Sequence, residues 1–129
     1  MAAEERTHGR VLIVDDEADI AEVLQEIVEG EGHEVTLAAN GREALERIAG
    51  QPFDLVLSDL IMPELDGAGL WRALRTSRPE LADRVVFITG DTLSEAAQRF
   101  LAESRRPVIE KPFVPDDVRA VVRGALTGR

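Results

Sequence analysis

The sequence predicts an α/β domain built on a five-stranded parallel sheet, doubly wound, with helices on both faces. Three observations lead there. Five short β-like runs alternate with five helix-like stretches along the chain. Three of those runs are continuously apolar, which suits strands buried on both faces of a parallel sheet. The chain has 129 residues, enough for one domain that hides roughly two-thirds of its unfolded surface. The β-α-β order then implies right-handed crossovers, which place helices on both faces.

Taken in order, the first strand is Arg10 to Val14, closed by Asp15-Asp16. Ile20, Val23, Leu24, Ile27 and Val28 follow at i, i+3, i+4, i+7, i+8, one apolar stripe of a helix. Glu31-Gly32-His33 reads as its stop and turn. Val35 and Leu37 alternate with polar residues, as in an edge strand. Asn40-Gly-Arg-Glu43 resembles a capping box and opens a helix striped by Ala44, Leu45, Ile48 and Ala49. Leu55 to Leu57 form the third strand, ending in Ser58-Asp59. Pro63 and Gly67 shape the turn after it. Leu70, Ala73 and Leu74, with Trp71 beside them, form the next stripe. Val85 to Ile88 lead to Thr89-Gly90. Thr92-Leu-Ser-Glu95 reads as a second capping box, for a helix striped by Leu93, Ala96, Ala97, Phe100 and Leu101. Val108-Ile109 is short, a second edge strand, and Glu110-Lys111-Pro112 ends it. Pro115-Asp116-Asp117 suits a helix start, with Val118, Val121, Val122, Ala125 and Leu126 as the last stripe. The folded unit is expected over residues 10–126, with a polar lead at 1–9 and a tail at 127–129.

Composition narrows the function classes. A net charge of −10 argues against direct binding to nucleic acid or an anionic membrane, which needs a basic face. The absence of cysteine excludes disulfides, thiolate nucleophiles and Cys-based zinc sites. The apolar runs are too short to span a membrane, and the polar start lacks a signal-peptide pattern, so a cytoplasmic protein is expected. His8 and His33 are expected on the surface, and Trp71 and Phe100 in the packing. Arg72, Arg75 and Arg78 read as a solvated helix face, with partner docking as the alternative. Of fifteen basic residues fourteen are Arg, and the one Lys is Lys111.

In an open parallel sheet, ligands bind beyond the carboxyl ends of the strands. There the sequence sets Asp15 and Asp16, Asp59, Thr89 and Lys111. Three carboxylates repel one another in a bare pocket. A hard dication relieves that, and Mg²⁺ favours a few carboxylates with waters and phosphate oxygens.

These residues also make the chain resemble the receiver domain of bacterial two-component signalling. The segments are Val11-Leu-Ile-Val-Asp-Asp16, Asn40-Gly-Arg-Glu-Ala-Leu45, Asp59-Leu-Ile-Met-Pro-Glu-Leu-Asp-Gly67, Phe87-Ile-Thr-Gly90 and Glu110-Lys-Pro-Phe113. The resemblance implies a flavodoxin-like sheet of order 2-1-3-4-5. It implies a phosphoacceptor at Asp59, phosphorylated from a sensor histidine kinase or a histidine phosphotransfer protein, in a protein that is not itself a turnover enzyme. It implies Mg²⁺, or Mn²⁺ in its place, held by Asp15, Asp16, Asp59 and the carbonyl of Ile61. Thr89 and Lys111 would meet the phosphoryl group, with Gly90 leaving room. The Lys111–Pro112 peptide would be cis. A monomer or weak dimer is expected, as a stand-alone regulator or the receiver of a hybrid histidine kinase, which the segment around Val108 resembles most.

Two departures stand out. The position three before the lysine, aromatic in many receivers and a switch there, is Val108. Ile61 and Asp91 occupy positions that tune dephosphorylation in the family, and apolar Ile61 predicts a long-lived phosphoryl group. Three rivals are weaker. A Mg²⁺-dependent phosphatase with an aspartate nucleophile would carry it after the first strand, with a second acid two residues on. A flavin module would need a phosphate-cradling loop and aromatic residues, where Asp15-Asp16-Glu17 repels phosphate. A domain that only binds partners would not need Asp59, Thr89 and Lys111 together.

Overall fold

The computed structural model describes residues 8–90, 92 and 94–127. Its five strands are β1 (Arg10–Val14), β2 (Glu34–Ala38), β3 (Leu55–Asp59), β4 (Val85–Thr89) and β5 (Val108–Glu110). All pair in parallel, in the order β2-β1-β3-β4-β5. The two strands read as edges, β2 and β5, are the edges. The helices are α1 (Ala18–Gly30), α2 (Gly41–Gly50), α3 (Gly67–Ser77), α4 (Pro79–Ala82), α5 (Glu95–Ser104) and α6 (Pro115–Thr127).

Strand pleating divides the core in two, because successive side chains point to opposite faces. Leu12, Val14, Val56, Val85 and Phe87 face one way and pack with Ala44, Ile48, Leu70, Leu74 and Phe100 of α2, α3 and α5. Val11, Ile13, Leu55, Leu57, Val86 and Ile88 face the other way and pack with Leu24, Val28, Val118, Val122 and Leu126 of α1 and α6. The central strands are therefore apolar at every position, and this is why their runs read as continuous.

Five details differ from the sequence reading. Helix α4 is a sixth helix, a single turn opened by Pro79 at its first position. Its Ala82 carbonyl accepts a hydrogen bond from the Trp71 indole N–H at 3.2 Å. Helix α5 begins at Glu95, and its cap is Ser94, whose hydroxyl accepts from the Ala97 N–H. Thr92 instead donates to Glu110 at 2.7 Å, tying the loop before α5 to β5. Val23, Ala49 and Ala96 point to solvent, since each helix needs only a narrow stripe against the sheet. His33 is buried, because its Nδ1 accepts the Gly9 N–H at 3.0 Å where the chain enters β1. His8 is exposed, as expected. Leu93, on the predicted α5 stripe, lies outside the described residues. Among the described residues no helix is long and apolar enough to cross a membrane.

Candidate functional site

Three strands end at one rim and deliver the chemistry there. Asp15 follows β1, and its N–H donates to Ala38 O of β2, so the edge strand fixes its backbone. Asp59 is the last residue of β3 and pairs in register with Ile88 of β4. Lys111 follows β5, and its N–H donates to Thr89 O, so it is set by the end of β4. Both carboxylates are nearly enclosed, Asp15 at 4% and Asp59 at 7% exposure.

The Lys111 ammonium joins them. Its Nζ lies 3.0 Å from Asp59 Oδ2, 3.3 Å from Asp15 Oδ2 and 3.4 Å from Glu17 Oε1. Burial opposes the lysine's charged form. Its hydrogen bond to Asp59, with the charges of Asp59 and Asp15, outweighs burial and raises its pKa above the usual value. Burial also lifts Asp15 above the ordinary carboxylate range, while the Glu17 N–H and Lys111 pull it back. The other Asp59 oxygen, Oδ1, accepts the Ile61 N–H at 3.3 Å.

One member of this cluster was not read from the sequence. Asp15, Glu17 and Asp59 each bring a carboxylate oxygen within 4.8 Å of the other two. Glu17 has extended backbone at the N-cap of α1 and makes no side-chain cap bond, so its carboxylate can turn to the pocket. The signal lay in the run Asp15-Asp16-Glu17. In extended chain, alternate residues share a side. Asp16 is exposed and stands outside this cluster. The donor set is hard oxygen, and its negative charge exceeds what one lysine balances; it suits a hard dication such as Mg²⁺.

The remaining predicted residues sit around this centre. Thr89 is buried at the end of β4. A Cβ built on Gly90 would meet Lys111 Cβ at 3.9 Å, an ordinary contact, so space alone does not require glycine there. The Lys111–Pro112 peptide is cis. Ile61 is 58% exposed and Val108 is 38% exposed on β5. Asp91 lies outside the described residues. Gly67 is fixed by sterics, because a Cβ there would stand 2.5 Å from Asp59 O and 2.9 Å from Leu60 Cα. That close approach folds the start of α3 back under the end of β3.

Comparison with known proteins agrees with this geometry. The profile of the response regulator receiver domain matches residues 11–123. The Escherichia coli K12 transcriptional regulatory protein ZraR is 34% identical over 122 residues, 93% of this chain and 27% of that protein. The chain thus spans about a quarter of that regulator's length. The Brucella abortus response regulator receiver protein CpdR is 36% identical over 104 residues, 81% of this chain and 85% of that protein. Among solved structures, a signal receiver domain of a Syntrophus aciditrophicus signal transduction histidine kinase aligns with TM-score 0.84 at 32% identity, covering 93% of this chain and 91% of that one. These relatives lend no support to the aspartate-nucleophile phosphatase reading. With the sheet order and the strand-end acids already in place, the profile match establishes that this chain belongs to the response regulator receiver domain family of two-component signalling.

Proposed function

We propose that Asp59 is the residue that takes the phosphoryl group, from a phosphohistidine on a sensor histidine kinase or a histidine phosphotransfer protein. The observation that carries this is the grip on its carboxylate. Lys111 holds Oδ2 and the Ile61 N–H holds Oδ1, at the end of a central strand. In the reaction an Asp59 oxygen bonds to phosphorus as the phosphorus–nitrogen bond of the donor breaks. The electron pair stays on the imidazole nitrogen, which takes up a proton. Lys111 is already placed to follow the charge from Asp59 to the phosphoryl oxygens, and its compact ammonium can turn where a planar guanidinium could not. Thr89, at the end of the adjacent strand, supplies a hydroxyl to the same oxygens.

Mg²⁺, held by Asp15, Asp16, Asp59 and the Ile61 carbonyl, with Glu17 in reach, would supply charge neutralisation at phosphorus; Mn²⁺ would serve in the same donor set. Apolar Ile61 offers no group to orient a hydrolytic water, so the acyl phosphate is long-lived, with Asp91 the other tuning position. The same transfer serves a stand-alone regulator or a hybrid-kinase receiver, as a monomer or weak dimer. This acidic surface is unsuited to binding nucleic acid directly.

The test is incubation with Mg²⁺ and a small acyl phosphate donor, read by intact mass. One base-labile phosphoryl group is expected on the wild type and none on Asp59→Asn. An unmodified wild type with both the donor and a phosphorylated histidine partner would reject the reading, as would an adduct that survives in Asp59→Asn.

A further inference from the structure

The basic residues are not spread evenly over this acidic molecule. Residues 72–107 hold seven arginines and five acidic residues, a net of +2, while the other residues together carry −12. Ion pairing sharpens the contrast. Among the described residues, Arg10, Arg42, Arg47, Arg72, Arg99, Lys111, Arg119 and Arg123 each have a carboxylate within 4 Å. The five others, Arg75, Arg78, Arg84, Arg105 and Arg106, have none. All five lie at one corner. Arg75 and Arg78 sit at the end of α3, Arg84 just before β4, and Arg105 and Arg106 between α5 and β5. This is the end of the sheet where strands begin, opposite the rim that holds Asp59.

The corner is also built rather than loose. Arg106 Nε donates to Val85 O at 2.9 Å, which fixes its guanidinium beside the entry to β4. Arg75 stacks 5.1 Å over the Trp71 ring. Arg78, Arg84 and Glu80 line a concavity with Pro52, Phe53 and Leu81 as its apolar part. Like charges held together without counter-charge repel, and an acidic chain has many carboxylates that could have relieved them. Here Glu80 and Asp83 stand among the arginines, yet neither makes an ion pair within 4 Å with a described arginine; only the charge of Asp83 reaches Arg106, whose burial outweighs it.

We propose that this corner, with Arg78 and Arg84 lining the Phe53–Leu81 concavity and Arg75, Arg105 and Arg106 at the same end of the sheet, docks an acidic protein segment that presents an apolar side chain between carboxylates. Guanidinium forks match carboxylates two bonds at a time, and arginine is favoured at the centres of protein interfaces. The concavity takes the apolar side chain. A long polyanion fits worse, because nucleic acid would run beyond the corner onto surface that carries the −12 charge. The site lies away from Asp59, so a partner held here leaves the phosphoacceptor open to its donor.

The test uses the full chain and a fluorescent twelve-residue peptide of alternating Glu and Leu or Phe, followed by anisotropy from low to physiological salt. Its Gln-for-Glu counterpart and a single-stranded DNA oligonucleotide of equal charge serve as the other probes. The acidic peptide is expected to bind the wild type at least tenfold tighter than either. R78Q/R84Q should lose tenfold or more of that affinity while still accepting a phosphoryl group, and R119Q should bind within twofold of wild type. Should R78Q/R84Q fail to fold, R75Q/R105Q decides by the same criterion. Equal binding of the Gln peptide, tighter binding of the oligonucleotide, no binding, or binding untouched by the corner substitutions would each overturn the proposal.

Discussion

Lys111 is the residue on which the site turns, and its removal is informative. It faces Asp59, Asp15 and Glu17 at 3.0–3.4 Å with a side chain 17% exposed. Lys111→Met leaves two enclosed carboxylates without their cation. A fully buried pair broken this way costs about 3–5 kcal/mol; water at the rim cuts this to about 1–2 kcal/mol at neutral pH. Urea unfolding should find that loss, and the loss should shrink at acidic pH as Asp15, whose pKa burial raises, takes up its proton. Phosphorylation should slow by roughly 100-fold, as when one preorganised donor is taken from a developing charge. Lys111→Arg should keep most of the stability and still phosphorylate slowly, because charge is retained and geometry is not. An unchanged rate in both variants would mean that the lysine only balances charge. Much of this centre was legible in the sequence. Asp59 ends its strand, Asp15 and Lys111 stand one residue beyond theirs, and the one lysine stands out among fourteen arginines. Glu17 is not legible, because it stands three residues beyond β1 and only the alternation of extended chain turns it back to the pocket. His33 misled because a turn sequence says nothing of Gly9, which its ring engages from 24 residues away.

At the scale of elements, the helices were read best where they are long. Stripes over α1, α5 and α6 gave the faces that meet the sheet, but α4, four residues long, makes about one turn and shows no repeat of the helical period. The cap of α5 was displaced because Thr92 and Ser94 both stand near Glu95, and only tertiary contact draws Thr92 away to Glu110. Two element junctions carry predictions. The first is β3 to α3. Gly67→Ala would force its methyl into the backbone of Asp59 and Leu60, costing about 1–3 kcal/mol as overpacking does. It should slow phosphorylation as well, since the displaced backbone belongs to the acceptor. A stable, fully active Gly67→Ala would contradict the close approach. The second junction is α1 to α6, where Arg123 Nε lies 2.6 Å from Glu31 Oε1. That hydrogen bond holds the Glu31 carboxyl below the usual range. A carboxyl lowered on folding adds stability above its unfolded pKa and loses it as pH falls through the folded value. Arg123→Gln should therefore be slightly less stable than wild type near neutrality, and the two should converge in acid. A gap that persists or widens at low pH would exclude the pair as its source.

At the scale of the whole molecule, one sheet separates two kinds of surface. One end gathers enclosed carboxylates, the other unpaired arginines, and the apolar layers between them keep the two apart. The acidic end stores repulsion that the folded chain tolerates, and a dication should release it. Because the carboxylates converge only when β1 and β3 lie side by side, Mg²⁺ held by them would bind the folded state and not the unfolded one. Binding must then appear as stability. At a hundredfold excess over its dissociation constant the gain is about 2.7 kcal/mol, several degrees in the melting midpoint for a domain of this size. Thermal melts with rising MgCl₂ should show that increase, against equal ionic strength of a monovalent salt as the control. Asp15→Asn and Asp59→Asn should each start more stable than wild type in the absence of Mg²⁺, being relieved of repulsion, and should gain far less from it. The comparison of Asp16→Asn with Glu17→Gln then divides the rim. The one that blunts the Mg²⁺ response contributes a ligand, and the one that leaves it intact does not. A wild-type midpoint that responds to MgCl₂ no more than to the monovalent control would show that Lys111 alone satisfies the pocket.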